Sequence, residues 1–152
     1  MTLDRRTELS RSETDAFLGR KETGVLSLAR DDVPYAIPIS YGYDAAERRF
    51  FLRLVSTPDS EKRDYLRDGA RATLVVCEET EPVYRSVVAT GTLEGVPRES
   101  LTAERVEQYG ETSRPLFEIW GEAQRDLDVA LYQLDPAEVT GRRIEVDRTR
   151  DA

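Results

Sequence analysis

The chain contains no histidine, and this absence restricts its chemistry more than any motif that is present. Serine–histidine–aspartate and cysteine–histidine catalysis are excluded, as are zinc and haem sites built on histidine ligands. The single cysteine, Cys77, cannot form an internal disulfide, and its place in an apolar run predicts a packing role. Any redox chemistry must therefore come from a bound organic cofactor.

Lysine is almost as scarce as histidine. Among 22 basic residues only Lys21 and Lys62 are lysines, whereas 30 residues are aspartate or glutamate, and the net charge is −8. This acidity argues against nucleic acid or an anionic membrane as a partner, because both attract basic surfaces. An acidic, lysine-poor composition is typical of halophilic archaeal proteins, whose self-repulsion is screened by dense salt. An ordinary acidic bacterial protein is the alternative interpretation.

Long apolar runs are also missing. No stretch reaches the roughly 18 apolar residues that span a membrane, and the charged N-terminal residues lack the apolar centre of a secretion signal. We therefore expect a cytoplasmic protein. The 152 residues fit one domain without a linker or internal repeat. Residues 147–152 are expected to be a frayed tail.

Short apolar segments alternate with turn residues over the first two thirds of the chain. They predict strands at 24–29, 34–43, 49–55, 72–77 and 83–96, the last bent at Gly91. A short helix over 13–19, capped by Ser10 or Ser12, is predicted before them. Pro34 and Pro38 cannot donate to a sheet ladder, so the second strand should lie at an edge or a bulge.

A second helix is predicted from Ser60 to about Arg67, between the third and fourth strands. The last third is predicted to hold a helical segment, a short apolar piece and two extended pieces, at 101–109, 115–120, 127–134 and 143–146. The pattern predicts a mainly β (α+β) fold: a small antiparallel β-barrel with a helix between strands 3 and 4 and a C-terminal helical segment.

The most informative segment is the polar loop that opens the second predicted helix. Ser60 and Lys62 stand at a helix N-terminus, where unpaired N–H groups and the positive dipole end suit a phosphate. A cation in that first turn is disfavoured by the helix alone, so an anion between the two would explain it. A solvated helix start is the alternative. The acidic loop Glu78–Glu81 is interpreted as solvated surface, and no metal site is predicted.

Several segments, in order, resemble one family. They are Gly24–Leu28, Pro34–Tyr41, Arg49–Leu54, Ser60–Leu66, Arg71–Val76 and Tyr84–Glu94. Together they resemble the FMN-binding split-barrel family, the pyridoxamine 5'-phosphate oxidase-like proteins, over about residues 10–96. The resemblance implies a split barrel, FMN as cofactor, and a homodimer with the cofactor in a groove between the two subunits.

The resemblance also implies the cofactor site. Ser60, Lys62 and Arg53 would hold the FMN phosphate. Pro38, Ile39 and Ser40 would lie along the flavin ring, and Ser86 would contact it. No catalytic residue is predicted, because only Tyr41, Tyr84 and assorted carboxylates offer acid or base groups.

The implied function is an FMN-dependent oxidoreductase that passes electrons from NAD(P)H to a small molecule of unknown identity. The Arg-x-His segment with which pyridoxamine-phosphate oxidases bind substrate is impossible here, because the chain has no histidine. A non-catalytic flavin-binding, storage or redox-sensing protein, a deazaflavin-dependent reductase and a cofactor-free interaction barrel are the alternatives.

Overall fold

The computed structural model describes residues 4–56, 65–67, 69–97 and 128–146. These residues form seven strands and one helix: β1 (Asp4–Glu8), α1 (Arg11–Arg20), β2 (Thr23–Arg30), β3 (Val33–Asp44), β4 (Arg49–Ser56), β5 (Ala70–Thr80), β6 (Val83–Gly95) and β7 (Asp128–Val146). Every strand pair is antiparallel. The predicted mainly β architecture is confirmed.

The sheet closes on itself. Its strand order is β1-β7-β4-β3-β2-β5-β6, and an additional pairing of β6 with β7 joins the two ends. Six strands therefore form a closed barrel, with β1 attached to the outer edge of β7. Closure removes most of the free strand edges that would otherwise invite aggregation.

Strand β3 changes partner halfway along. Residues 33–40 pair with β2, whereas 41–44 pair with β4. Within the described chain the first stretch thus has a strand on one side only, and it contains Pro34 and Pro38, as their missing N–H groups predicted. The preceding turn, Asp31-Asp32, has positive φ at both residues, which suits a two-residue hairpin.

Alternating side chains of the strands fill the barrel. The largest fully buried side chains include Phe50, Leu52 and Leu54 of β4, and Leu74 and Val76 of β5. Phe51, which faces the other side of β4, is also buried but does not belong to this core cluster.

Helix α1 packs against the barrel core through Phe17 and Leu18. It begins with a capping box, in which the Ser10 hydroxyl accepts from the Glu13 N–H and the Glu13 carboxylate accepts from the Ser10 N–H. The predicted helix is therefore confirmed, with Ser10 as its cap.

The pairing of β6 with β7 contains one irregularity. The register shifts between Thr90 and Gly91, so that Thr90 lies opposite Glu138 and Gly91 opposite Pro136. The shift leaves Ala137 without a partner on β6, and the irregular ladder beside it accommodates Pro136, which has no N–H. The chain consequently continues as one strand where the sequence predicted two separate extended pieces.

Strand β1 was not predicted, because its sequence DRRTE has no alternating apolar residues. Of the helix expected at 60–67 only 65–67 are described, with Tyr65 helical, and the segments expected at 101–109 and 115–120 and the tail from Asp147 lie outside the described residues.

No helix in the described part of the chain is long and apolar enough to cross a membrane.

Candidate functional site

The outward side of strands β3, β2, β5 and β6 carries a surface without charged residues, although the chain is rich in charge. Its cross-strand rows follow from the register: one row is Pro38, Val25, Val75 and Val88, and the next is Ala36, Ser27, Thr73 and Thr90. Val25 and Val88 are 41% and 38% exposed. We call these eight residues the uncharged outer face, because none of them is charged although 34% of the residues in the chain are.

The second row, which contains Ala36, Ser27, Thr73 and Thr90, carries three hydroxyl groups. The Thr73 and Thr90 hydroxyls are hydrogen-bonded at 3.1 Å. They line a shallow groove of about 260 Å³ together with Ser27, Ala29 and Arg71. Apolar and hydroxyl groups side by side can contact a flat organic ring and also satisfy hydrogen bonds at its edge.

Four of the predicted site residues face outward from the barrel. Pro38 belongs to the uncharged outer face, and Ser86 lies on the same side of β6 as Val88. Ser40 and Arg53 alternate with buried core residues, so they also face outward, on the neighbouring strands β3 and β4. Ser40 is fully buried, whereas Arg53 is half-buried.

These residues are not all adjacent. Pro38 on β3 and Ser86 on β6 are separated by two intervening strands, a span of roughly 14 Å at the usual strand spacing. Ile39 belongs to the barrel core, so only its backbone can take part in a site on the outer side. Ser60 and Lys62 lie outside the described residues.

The sequence did not identify the neighbours of Ser86. Cys77 of β5 and Arg142 of β7 lie directly opposite it on either side. The predicted packing role of Cys77 is wrong: the thiol is exposed, because Val76 rather than Cys77 faces the core. The alternation of buried and outward residues along β5 could have indicated that Cys77 is exposed. The proximity of Arg142 to Ser86 could not be predicted in this way, because it depends on the register of β6 and β7.

Two of the three tyrosines of β3, Tyr41 and Tyr43, have structural hydrogen bonds. Tyr41 is buried and donates its hydroxyl to the Leu18 carbonyl oxygen at 2.8 Å, and burial raises its pKa well above the usual value. Burial, and then a hydrogen bond to Asp15, raises the pKa of Tyr43 to about 12. Both phenols therefore stay protonated near neutral pH, and Tyr41 is buried with its hydroxyl proton directed to a backbone carbonyl oxygen, which is a structural role.

One carboxylate joins helix α1 to the barrel wall. Glu78 accepts from Arg20 at 3.1 Å and forms ion pairs with Lys21 at 3.0 Å and Arg85 at 3.3 Å. Hydrogen bonds from Arg20 and then Lys21 lower the pKa of Glu78 from 4.5 to about 2. The expectation that this whole acidic loop is solvated surface is therefore wrong for Glu78.

The ion pairs of Glu78 predict that the free energy of unfolding depends on pH in the acidic range. Because the pKa of Glu78 is lowered on folding, its contribution is fully present above pH 4.5 and is lost as the pH falls from 4.5 to about 2. In Glu78→Gln we expect a lower urea midpoint at pH 7 and a shallower decline between pH 5 and pH 2. Glu79→Gln, one residue along and exposed, is the control and should follow the wild-type curve. Equal slopes for all three proteins would contradict the assigned role.

Comparison with solved structures gives the same fold. The chain superposes with a TM-score of 0.70 on an FAD-binding protein from Mesorhizobium loti, at 25% identity, covering 93% of this chain and 98% of the other. An FAD-binding protein from Mycobacterium smegmatis gives 0.67 at 15% identity, covering 91% and 98%. A candidate pyridoxamine 5'-phosphate oxidase from Corynebacterium glutamicum gives 0.69 at 17% identity, covering 94% and 96%. The barrel is thus a split β-barrel.

Comparison by sequence identifies the family. A curated relative, a protein of Rhizobium meliloti (strain 1021), is 29% identical over 90 residues, which are 59% of this chain and 56% of that protein's length. The profile of the pyridoxamine 5'-phosphate oxidase family matches residues 10–143, which include helix α1 and most of the barrel. The chain therefore belongs to the pyridoxamine 5'-phosphate oxidase family.

Proposed function

We propose that the protein is a flavin-dependent oxidoreductase that binds FMN against the uncharged outer face. The observation that carries this proposal is the surface itself: eight uncharged residues in two ordered rows on a chain with a net charge of −8. Membership of the family supports a flavin. So do the structural relatives from Mesorhizobium loti and Mycobacterium smegmatis, which are FAD-binding proteins.

The uncharged outer face offers the kinds of contact that a flavin requires. Val25, Val75 and Val88 offer the apolar contact that a flat ring requires, and the Thr73 and Thr90 hydroxyls lie one row away. In this proposal Lys62, Ser60 and Arg53 bind the phosphate. A bound flavin supplies hydride transfer, so the protein's own task is to orient the ring and exclude water.

We also propose that two copies associate through the uncharged outer face, with the cofactor between them. A symmetric dimer pairs the same patch on both chains, so it buries the exposed valines of both copies together. The interior of such a patch is normally depleted of charge, as this surface is. NAD(P)H is the proposed electron donor, which fits the cytoplasmic location expected from the composition.

An absorption spectrum tests the proposal. The purified protein is titrated with FMN, FAD and a deazaflavin in concentrated salt, and NADPH is then added. Flavin bands that shift on binding and bleach at a catalytic rate support the oxidoreductase. Bound flavin without turnover leaves a storage or redox-sensing protein. Failure to bind any of the three cofactors contradicts the proposal.

The two lysines provide a matched pair for the phosphate site. Lys62→Ala should weaken FMN binding by roughly 10-fold or more, because the phosphate loses a charge-assisted hydrogen bond. Lys21→Ala removes the same charge, but Lys21 pairs with Glu78 and is not one of the residues assigned to the phosphate, so the affinity should stay at the wild-type value. The measurement is a fluorescence titration of FMN. Equal affinities in the two variants would contradict the assignment of Lys62.

A further inference from the structure

A cleft opens where one edge of β7 lacks a partner strand. On this edge β7 pairs with β4 up to Leu134 and with β1 from Arg142 onward. In the part of the chain that the structure describes, no strand pairs with this edge at residues 135–141. The first turn of α1 and the turn before β4 lie beside the gap, and the resulting cleft has a volume of about 220 Å³.

Three arginines line this cleft, each from a different part of the fold. Arg11 begins α1, Arg48 ends the turn before β4, and Arg142 lies on β7. Glu8 is the one carboxylate among the lining residues. Asp15, which pairs with Arg48, is a second carboxylate beside the cleft. Three cations and two anions leave a local excess of one positive charge on a chain with a net charge of −8.

Two of these arginines form no ion pair within the described residues, although the register places Glu8 directly opposite Arg142. Arg11 and Arg142 are exposed, and none of the ion pairs within residues 4–56, 65–67, 69–97 and 128–146 involves either of them. Arg48 is different, because its guanidinium is held by Asp15 at 3.4 Å and Asp15 also accepts from Tyr43. One cation is thus fixed in place, and the other two remain available to a ligand.

The backbone keeps the cleft walls close together. The Leu9 N–H donates to the Gly141 carbonyl oxygen at 2.9 Å. A Cβ atom on Gly141 would lie 2.8 Å from the Thr14 hydroxyl oxygen, so α1 approaches β7 as closely as a glycine permits. The positions of Arg11 and Arg142 therefore follow from packed elements rather than from loose surface loops.

We propose that this cleft is a binding site for a small oxyanion, the phosphate or carboxylate group of a ligand. Arginine binds both groups through paired N–H donors, which suits a cleft lined by three of them. Its volume of about 220 Å³ is below the ~300–1,000 Å³ of sites for larger organic ligands, so a group of a few atoms fits best. The proposal does not depend on the flavin.

Calorimetry with inorganic phosphate and with acetate, at constant ionic strength set by chloride, tests the site on the flavin-free protein. We expect saturable binding of at least one anion, and at least a 10-fold loss of affinity in Arg142→Gln and in Arg11→Gln. Tighter binding of phosphate would identify a phosphate-bearing ligand, and tighter binding of acetate a carboxylate. Arg30→Gln, an exposed arginine at the β2–β3 turn, should bind as the wild type does.

Two results would overturn the proposal. One is the absence of saturable binding of both anions to the wild-type protein. The other is wild-type affinity in Arg11→Gln and Arg142→Gln together with loss of binding in Lys62→Ala, because the anion would then occupy the proposed flavin-phosphate site. Both arginines are exposed, so their replacement should leave the fold intact, which circular dichroism checks.

Discussion

Gly91→Ala will destabilise the barrel severely. A Cβ atom at this position would lie 2.0 Å from the Asp135 carbonyl oxygen and 2.6 Å from the Pro136 Cα. Both are backbone atoms of β7 at the register shift that closes the barrel, so neither can turn aside as a side chain would. The strands must separate locally, and the hydrogen bonds of the closing pair are then strained or lost. We expect a loss of about 3 kcal/mol or more.

Such a loss is large against the total free energy of unfolding, about 5–15 kcal/mol for a single domain. For a chain of this length it corresponds to a fall in melting temperature of roughly 10 °C. Gly19→Ala is the matched control, because a Cβ atom there meets nothing within 4 Å and the residue lies in α1. Alanine favours the helix, so this variant should melt at or slightly above the wild-type temperature. A Gly91→Ala protein that melts within 2 °C of wild type would contradict the close approach.

The barrel strands were predictable because their signal is local. In β5 the core positions Ala72, Leu74 and Val76 alternate with outward residues, and this period of two is visible in the sequence alone. Strand β1 has no such signal: DRRTE is a strand only because β7 offers it an edge to pair with. Pro136 predicted a break in the last strand, but β7 continues through it because the register shifts opposite Gly91. Pairing between distant segments decided both cases.

In the candidate site, too, one part follows from local sequence patterns and another part from strand pairing. The outward direction of Pro38, Ser40, Arg53 and Ser86 follows from alternation with core residues, which the sequence contains. The rows of the uncharged outer face do not, because Val25, Val75 and Val88 become neighbours only through the registers of two strand pairs. For the same reason the sequence gave no indication of a cleft at Arg11, Arg48 and Arg142. Local patterns predict direction, whereas register determines which residues meet.

Val88→Asp should abolish the proposed dimer. Val88 stands in the valine row of the uncharged outer face and is 38% exposed in the single chain. In a symmetric dimer each substitution occurs twice, so two carboxylates would be removed from water into an apolar interface. An unpaired buried charge costs several kcal/mol, so the dissociation constant should rise by at least about 100-fold. Sedimentation velocity at matched salt measures it, and the flavin affinity should fall in parallel.

Val33→Asp separates this effect from charge alone. Val33 is 54% exposed at the β2–β3 turn and lies outside the uncharged outer face, so this variant should remain a dimer with wild-type flavin affinity. Salt provides a second test, since two copies that each carry a net charge of −8 repel one another. Because ions screen that repulsion, the wild-type dimer should strengthen as the salt concentration rises. A Val88→Asp protein that remains dimeric would exclude this face as the interface, because an apolar interface here could not accept two unpaired carboxylates.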